Sequence, residues 1–326
     1  AKNSSAGFYN GVATQSLRFD SGSSAYLSRT PSSASNRKTW TFSTWFKIAN
    51  PASNHAILSA GESNSSRVAL YLSSGGQFVT DLAGTGDYDR SVALFRDPSA
   101  WYHIVWSFDT TQSTSANRSR IYINGTEITL TKTRTWSLNT NYPFNNTELH
   151  TIGALSNGLG FKNNAYYAET NFVDGSQLTP SNFGETKNGV WIPIEYTGSY
   201  GTNGFRLQFD QVGVGTASTS TIGADTSGNT NHWTSSGIVA SDCAMPDSPE
   251  NNFATLNPLN YSSASATMSE GNLAHTSSSP HISAVSTMAL PKSGKYYWEV
   301  RLNNTSTNGS NSIGLARVNF DATSAI

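Results

Sequence analysis

The strand pattern over Ala100–Leu130 constrains the fold of this chain more than any other feature. In Trp101–Phe108, the residues at both sets of alternating positions are largely apolar. A strand that is apolar on both faces is typical of the interior of a layered β structure. Large aromatic side chains such as Trp106 are therefore assigned to a core between two layers.

A hairpin signal follows this central strand. Ser119–Ile123 alternates and leads into Asn124-Gly125, a dipeptide that favours a two-residue turn because both residues tolerate positive φ. Closing the turn there pairs Ile123 with Thr126. A shift by one residue would turn the apolar face towards water, so the register is strongly specified.

Further short strand patterns are separated by turns rich in Gly and Ser. Trp40 and Phe42 lie on one face of such a strand and are also assigned to the core. The patterns cover Ser16–Leu27 (two strands), Thr39–Ile48, Ala56–Ser59, Val68–Leu72, Gln77–Leu82, Leu149–Gly153 and Ala165–Val173, with one helical turn over Gln177–Phe183. We therefore predict an all-β protein whose first domain, residues 1–185, is an antiparallel jelly-roll sandwich.

The sequence changes character after this domain. Residues 186–287 are rich in Ser, Pro and Asn, with strand patterns at Val190–Tyr196 and Phe205–Phe209. We interpret them as an irregular β/loop region that connects two domains. Residues 288–326 contain two strand patterns, Lys295–Val300 and Ser312–Ala316, which predict the start of a second β-sandwich.

Composition excludes several classes of protein. The chain has 326 residues, a net charge of −1 and 13% charged residues, well below the ~25% of ordinary globular proteins. No basic cluster is present, so nucleic-acid binding is not expected. No apolar run is long enough for a membrane span, and Cys243 is the only cysteine, which excludes an intrachain disulfide. The first residue is Ala1, so we expect a processed chain or a part of a longer one.

The strands of the first domain resemble laminin-G-like, concanavalin-A-like domains. The similarity rests on the order of short motifs: a strand ending in Phe-Asp, then FSTW, WYH, a strand ending in Asn-Gly, an Ile-Gly strand and a closing strand followed by Leu-Thr. Lys295–Val300 and Ser312–Ala316 resemble the opening strands of SPRY domains. These resemblances imply two β-sandwich folds in sequence.

Longer phrases resemble proteins encoded by tailed bacteriophages of marine bacteria. They include FRDPSAWYHIVWSFDTT, NFVDGSQLTPSNFGE and GVWIPIEYTGSYGTNGFRLQF. The resemblance implies a virion-associated protein at the virion surface or outside the cell, in contact with other virion proteins. Phage appendages are commonly symmetric homo-oligomers. A polar surface with few charges also costs little free energy to desolvate. We therefore expect a homo-oligomer with much of the contact after Thr186.

We find no catalytic residues by sequence. Glucanases of this fold use closely spaced carboxylates, commonly Glu-x-Asp-x-x-Glu, and that spacing does not occur. Asp87 and Asp89 are interpreted as a solvated loop. Asp225, Ser227 and His232 supply the residue types of a catalytic triad, but a Gly/Asn turn around Ser227 favours a structural role. His103 is interpreted as a packed strand residue.

The resemblance also implies candidate binding sites. Relatives hold one calcium at the sandwich rim, and Asp20 and Glu169 match the positions of two acidic ligands, although Asp20 could instead cap a turn. Four aromatic residues in predicted loops are candidates for stacking on sugar rings: Tyr88, Trp136, Tyr142 and Phe161.

Three functions remain open at this point. The leading hypothesis is a non-enzymatic phage virion surface or tail-fibre component that binds host-surface glycans. The alternatives are a structural capsid or tail decoration protein without a glycan ligand and, less favoured because the carboxylate pair is missing, a glycan hydrolase.

Overall fold

The structure is a computed structural model that describes residues 7–63, 66–83, 86–261, 266–277, 283–303, 313–315 and 322. The first strands in chain order are β1 Leu17–Phe19, β2 Tyr26–Arg29, β3 Thr39–Ile48, β4 His55–Ala60, β5 Val68–Leu72, β6 Phe78–Leu82, β7 Gly86–Ser91, β8 Tyr102–Asp109, β9 Ser119–Ile123, β10 Thr126–Glu127, β11 Leu130–Lys132, β12 His150–Ile152 and β13 Ala165–Asp174. The later strands are β14 Gly184–Lys187, β15 Val190–Pro193, β16 Phe205–Leu207, β17 Thr234–Ser236, β18 Leu256–Tyr261, β19 Ala266–Ser269, β20 Ala274–Ser277 and β21 Ala284–Ser286.

Short 3-10 turns occur at Ser115–Asn117, Pro180–Asn182, Ala240–Asp242 and Glu270–Asn272. The second of these is the helical turn predicted from the sequence. In the described part of the chain, no helix has the length and apolar character that crossing a bilayer requires.

Two antiparallel sheets form the jelly roll. The seven-stranded sheet has the order β1-β13-β3-β8-β9-β10, with β16 also paired to β13. The eight-stranded sheet has the order β11-β7-β6-β5-β4-β12-β2-β17. The predicted all-β class and the antiparallel jelly-roll sandwich are confirmed.

The core lies between the two sheets and is dominated by aromatic rings. Trp40 on β3 packs edge-on against Trp106 of β8 and stacks on Phe108, with ring centroids 4.7 Å apart in both cases. All three side chains are fully buried. Because β8 is central in its sheet, its other face is covered too, and every residue after Tyr102 is buried. The prediction of a strand buried on both faces is confirmed.

The hairpin after β9 forms as the sequence predicted. Thr126 pairs with Ile123, and Asn124 and Gly125 have φ angles of 49° and 82°. Positive φ at both central residues matches the right-handed twist of the paired strands. The turn is tied to β8 as well, because the side-chain oxygen of Asn124 accepts the backbone N–H of His103 at 2.8 Å.

The sheets do not end at residue 185. β16 pairs with β13, and β17 pairs with β2, so residues beyond the predicted boundary add one strand to each sheet. Phe205 stacks on Phe172 at 5.6 Å, and Trp233, 1% exposed, meets Phe205 edge-on. The predicted domain boundary at residue 185 is therefore corrected. The polar sequence that follows it contains a few large apolar residues, and these complete the core of the first domain.

The outer face of the seven-stranded sheet is covered as well. The β14–β15 hairpin lies over part of it, and residues 240–253 and 270–272 lie over other parts. Arg18 of β1, for example, donates to Asp242 at 2.6 Å and pairs with Glu270. The region predicted as a connection therefore acts as a cover that is held by buried charged groups.

The strand predicted over Lys295–Val300 does not form. The segment is exposed, with Tyr297 at 85%, and pairs with no described strand that could fix an extended conformation. Of the second predicted strand, Ser312–Ala316, residues 313–315 are described without regular structure, and its two end residues lie outside the described residues. The described structure thus contains no second sandwich.

Candidate functional site

A groove of about 490 Å³ opens where the β14–β15 hairpin lies on the outer face of the seven-stranded sheet. This volume is within the usual range of small-ligand sites. Its lining combines indole rings with small polar groups and consists of Trp45, Trp101, Asn124, Thr186, Gly189, Val190 and Trp191. The site is therefore assembled from β3, the residue that precedes β8, the Asn-Gly turn and the β14–β15 hairpin.

Trp191 is the half-buried aromatic wall of this groove. Its ring lies against two glycines: a Cβ placed on Gly125 or Gly184 would come within 2.6 Å or 2.5 Å of an indole carbon. Only residues without a side chain allow this approach. The indole N–H then donates to Nδ1 of His103 at 2.9 Å. The ring is consequently fixed both by close packing and by a directional hydrogen bond.

His103 supports the site from below and is 1% exposed. Because an indole nitrogen can only donate, Nδ1 of His103 accepts from Trp191, and Nε2 carries the proton of the neutral ring. Nε2 lies 2.9 Å from the hydroxyl of Ser43 and donates to it. Burial lowers the pKa of His103 to about 3, so the ring is neutral near pH 7. The predicted role of His103 as a packed strand residue is confirmed.

Trp45 and Trp101 supply the other two indoles of the groove. Trp45 stacks on His103 with centroids 4.8 Å apart, and Trp101 donates its N–H to Asp247 at 3.1 Å. Trp45 is 4% exposed, and none of the described residues makes a hydrogen bond to its buried N–H. An unpaired buried donor costs free energy unless an acceptor reaches it.

The sequence contained a signal for this site that we did not use. Trp45, Trp101 and His103 all occupy the alternation class that faces away from the sandwich core. A tryptophan on an outward face needs a second layer or a ligand to cover it. Trp191 offered no comparable signal, because its position over the sheet depends on long-range folding.

Comparison with known proteins identifies the first domain. Residues 20–181 match the model of the concanavalin A-like lectin/glucanases superfamily. Residues 20–181 therefore have a concanavalin A-like, laminin-G-like jelly-roll fold, and we call them the lectin-like domain. A comparison with curated protein sequences gives no significant match.

Solved structures resemble the lectin-like domain at low sequence identity. A candidate carbohydrate-binding protein of Bacteroides ovatus is 13% identical, with a TM-score of 0.45 over 69% of this chain and 58% of the other. A heptameric pentraxin of Limulus polyphemus is 14% identical, with a TM-score of 0.38 over 52% and 79% of the two chains. Domains LG4-5 of mouse laminin α1 are 17% identical, with a TM-score of 0.36 over 64% and 52%. The chain thus covers just over half the length of the first and third.

Three of the four predicted sugar-stacking aromatics are core residues of the lectin-like domain. Tyr88, Trp136 and Tyr142 are 8%, 2% and 6% exposed, and Trp136 contacts both tyrosines with centroids 4.3 and 4.9 Å away. Their assignment as exposed ligand contacts is corrected. Tyr88 lies on β7, and the loop after β11 folds inward, so that its aromatic side chains close one end of the sandwich.

Phe161, the fourth candidate, lies at the surface in a different place. It is 36% exposed and packs on Tyr71 of β5 with centroids 5.2 Å apart. β5 belongs to the eight-stranded sheet, whereas the groove lies outside the seven-stranded one. The structure therefore brings Phe161 together neither with the other three nor with Trp191.

The sequence suggested that Asp89 lies in a solvated loop, and this interpretation is wrong. Asp89 is fully buried on β7 and accepts hydrogen bonds from Thr80, Ser119 and Trp136 at 3.0, 2.6 and 3.0 Å. Lys132 lies 3.5 Å from its other oxygen. The carboxylate thus joins three segments at one end of the core, which is a structural role.

Asp20 and Glu169 do not fit a shared calcium site. Phe19 pairs with Ala165 on β13, which places Asp20 about 15 Å from Glu169 along the strand direction. Asp20 caps its own turn through the N–H of Ser23 at 2.9 Å. Glu169 is held by Arg206 at 2.7 Å. Within the described residues, no three His, Cys, Asp or Glu side chains gather as metal ligands.

The Asp225, Ser227 and His232 set forms a turn and has no triad geometry. The Asp225 carboxylate accepts the hydroxyl of Ser227 at 3.0 Å and three backbone N–H groups. His232 accepts the backbone N–H of Asp225 through Nδ1, so it does not bind the carboxylate. The structural interpretation of this motif is confirmed.

Proposed function

We propose that this protein is a non-enzymatic glycan-binding component of a phage virion surface or tail fibre, and that glycans bind in the groove beside Trp191. The observation that carries the proposal is the three-indole groove with polar groups at its edge. Flat aromatic faces pack on the C–H faces of sugar rings, and amide and hydroxyl groups such as those of Asn124 and Thr186 match sugar hydroxyls.

The lining of the groove also supports binding without cleavage. Glycoside hydrolysis generally requires two carboxyl groups on either side of the scissile bond. None of the described residues that line the groove is Asp or Glu. A sugar held there would meet indoles, an amide and a hydroxyl, which can orient it but cannot act as an acid and a nucleophile.

The virion context rests on the phage-like phrases of the sequence and on its low charge, 13% of residues. We include homo-oligomerisation in the proposal, since repeated copies raise the avidity of weak sugar sites. The solution mass of the full chain tests this part. A monomer at micromolar concentration would contradict it. Failure on every glycan would favour the structural decoration protein instead.

A glycan array with the full chain and two matched variants tests the binding site. Trp191→Ala removes the half-buried wall of the groove, whereas Phe161→Ala removes a surface aromatic on the other sheet. We expect the first variant to lose at least ~10-fold in affinity, as loss of an aromatic contact does, and the second to bind like the wild type. Equal binding by wild type and Trp191→Ala, with unchanged melting temperature, would refute the groove as the site.

A further inference from the structure

Lys47 is a fully buried lysine on the outer face of the seven-stranded sheet, with 1% of its side chain exposed. Its Nζ donates to Oδ2 of Asp247 at 2.8 Å, to Oδ1 of Asn252 at 2.8 Å and to the carbonyl of Phe253 at 2.7 Å. Burial lowers the pKa of Lys47 even though Asp247 is adjacent. Lys47 therefore loses a proton to form the neutral, nucleophilic amine more readily than a surface lysine does.

Asp247 is oriented to act as the proton acceptor for this amine. Its Oδ1 accepts the indole N–H of Trp101 at 3.1 Å and the backbone N–H of Phe253 at 3.2 Å. These two donors fix the carboxylate plane and leave Oδ2 in contact with Nζ of Lys47. A carboxylate at hydrogen-bond distance from the proton it removes satisfies the geometric requirement for a general base.

Asn252 presents an electrophilic carbon to the same nitrogen. Its Oδ1 is held by Lys47, and its Nδ2 donates to the carbonyl of Ser99 at 2.8 Å, so the amide plane is fixed at both ends. With a C=O bond of about 1.23 Å, Nζ lies at most ~4 Å from Cγ, which approaches the ~3–3.5 Å of a near-attack conformer. Asn252 is otherwise exposed, which gives a leaving group access to solvent.

We propose that Lys47 and Asn252 form an intramolecular isopeptide bond, with Asp247 as the proton shuttle. The carboxylate takes a proton from the ammonium, and the neutral Nζ attacks Cγ of Asn252. Asp247 returns the proton to Nδ2 as the Cγ–Nδ2 bond breaks. The attacking nitrogen then loses a second proton, which Asp247 passes to the departing ammonia, so the products are the isopeptide N–H, an ammonium ion and the Asp247 carboxylate. One N–C bond forms and one breaks, and no oxidant or further reactant is needed.

The bond would tie the cover of the seven-stranded sheet to its central strand β3. The cross-link closes a loop that runs from Lys47 to Asn252 and contains most of both sheets. A covalent closure of this length stabilises the fold by restricting the unfolded chain. The site contacts Trp101, so it also fixes one wall of the groove, but its formation does not depend on glycan binding.

Intact-mass spectrometry of the denatured full chain tests the proposal. We expect the wild type, after incubation in its folded state, to be lighter than its sequence mass by one ammonia. Trypsin should fail to cleave after Lys47, and a branched peptide should join the Lys47 and Asn252 segments. Lys47→Arg, Asn252→Ala and Asp247→Ala should each keep the full mass, whereas the neighbouring control Asn251→Ala should lose ammonia like the wild type.

Two results would overturn the proposal. The first is a wild-type chain at its full sequence mass with normal cleavage after Lys47. The second is loss of ammonia that persists in Lys47→Arg, which would indicate succinimide formation at an asparagine instead. Because the wild-type measurement needs no variant, a variant that fails to fold leaves the test intact.

Discussion

The indole N–H of Trp191 donates to Nδ1 of His103 at 2.9 Å and so links the hairpin cover to the central sheet. His103 receives this bond only in its neutral form, since a protonated imidazole has no acceptor nitrogen. Its pKa is lowered to about 3 by burial, so the bond persists at any physiological pH. A glycan groove built on this pair should therefore bind independently of His103 protonation near neutrality.

Trp106→Ala should destabilise the lectin-like domain by roughly 3–5 kcal/mol, as other large core truncations do. The side chain is fully buried, contacts Trp40, and donates to the hydroxyl of Ser119 at 3.1 Å. Denaturant melts measure the change. A loss below about 1 kcal/mol would contradict the central position of β8 in the core.

Trp233→Ala tests whether residues beyond 185 belong to the same folding unit. Trp233 is 1% exposed and packs on Phe205 in the sandwich core. We expect a loss of about 3–5 kcal/mol in the main unfolding transition. If the main transition stayed unchanged, Trp233 would lie outside the folding unit of the sandwich, in agreement with the sequence-based prediction that residues 186–287 only connect two domains.

Gly125→Ala should be clearly worse than Gly189→Ala, although both positions have φ near 80°. A Cβ at Gly189 meets nothing within 4 Å, whereas at Gly125 it would lie 2.6 Å from Trp191. Gly189→Ala, the control, should lower the free energy of unfolding by about 1 kcal/mol, because alanine is disfavoured at positive φ. Gly125→Ala should cost more and displace Trp191. Melting curves and tryptophan fluorescence measure both effects, and equal costs would contradict the close packing of Trp191.

Glu169 should make the protein less stable as the pH rises from about 4.5 to 7. Burial outweighs the ion pair with Arg206 and raises the pKa of Glu169 to about 7 from 4.5. Glu169 therefore stays protonated to a higher pH in the folded state than in the unfolded state. The stability that this proton contributes is fully present below the unfolded-state pKa and is lost as the pH rises through the folded-state pKa.

The matched variant is Glu169→Gln, which keeps the shape and removes the titration. The difference in unfolding free energy between wild type and variant should change by on the order of 1–3 kcal/mol across this pH range. A difference that stays constant with pH would show that Glu169 is ionised throughout. The contributions of other titrating groups, such as His103, to this pH dependence cancel because both proteins contain them.

Local sequence determined the strands and one turn. Alternation fixed which side chains of Thr39–Ile48 and Trp101–Phe108 face the core, because successive side chains on a strand point to opposite faces. The Asn124-Gly125 dipeptide fixed a turn, because its two residues accept positive φ. These properties involve neighbours in the chain, so they can be inferred without the fold.

Only the tertiary structure decided the extent of the domain and the location of the site. Trp136 and Trp191 both occur in polar, turn-rich sequence, yet Trp136 is buried in the core and Trp191 lines the groove. The contact between Lys47 and Asn252 joins positions about 200 residues apart. Burial and proximity of this kind follow from how sheets and cover pack, and no local pattern encodes them. The sequence determined the β-sandwich; long-range packing determined what it presents to a ligand.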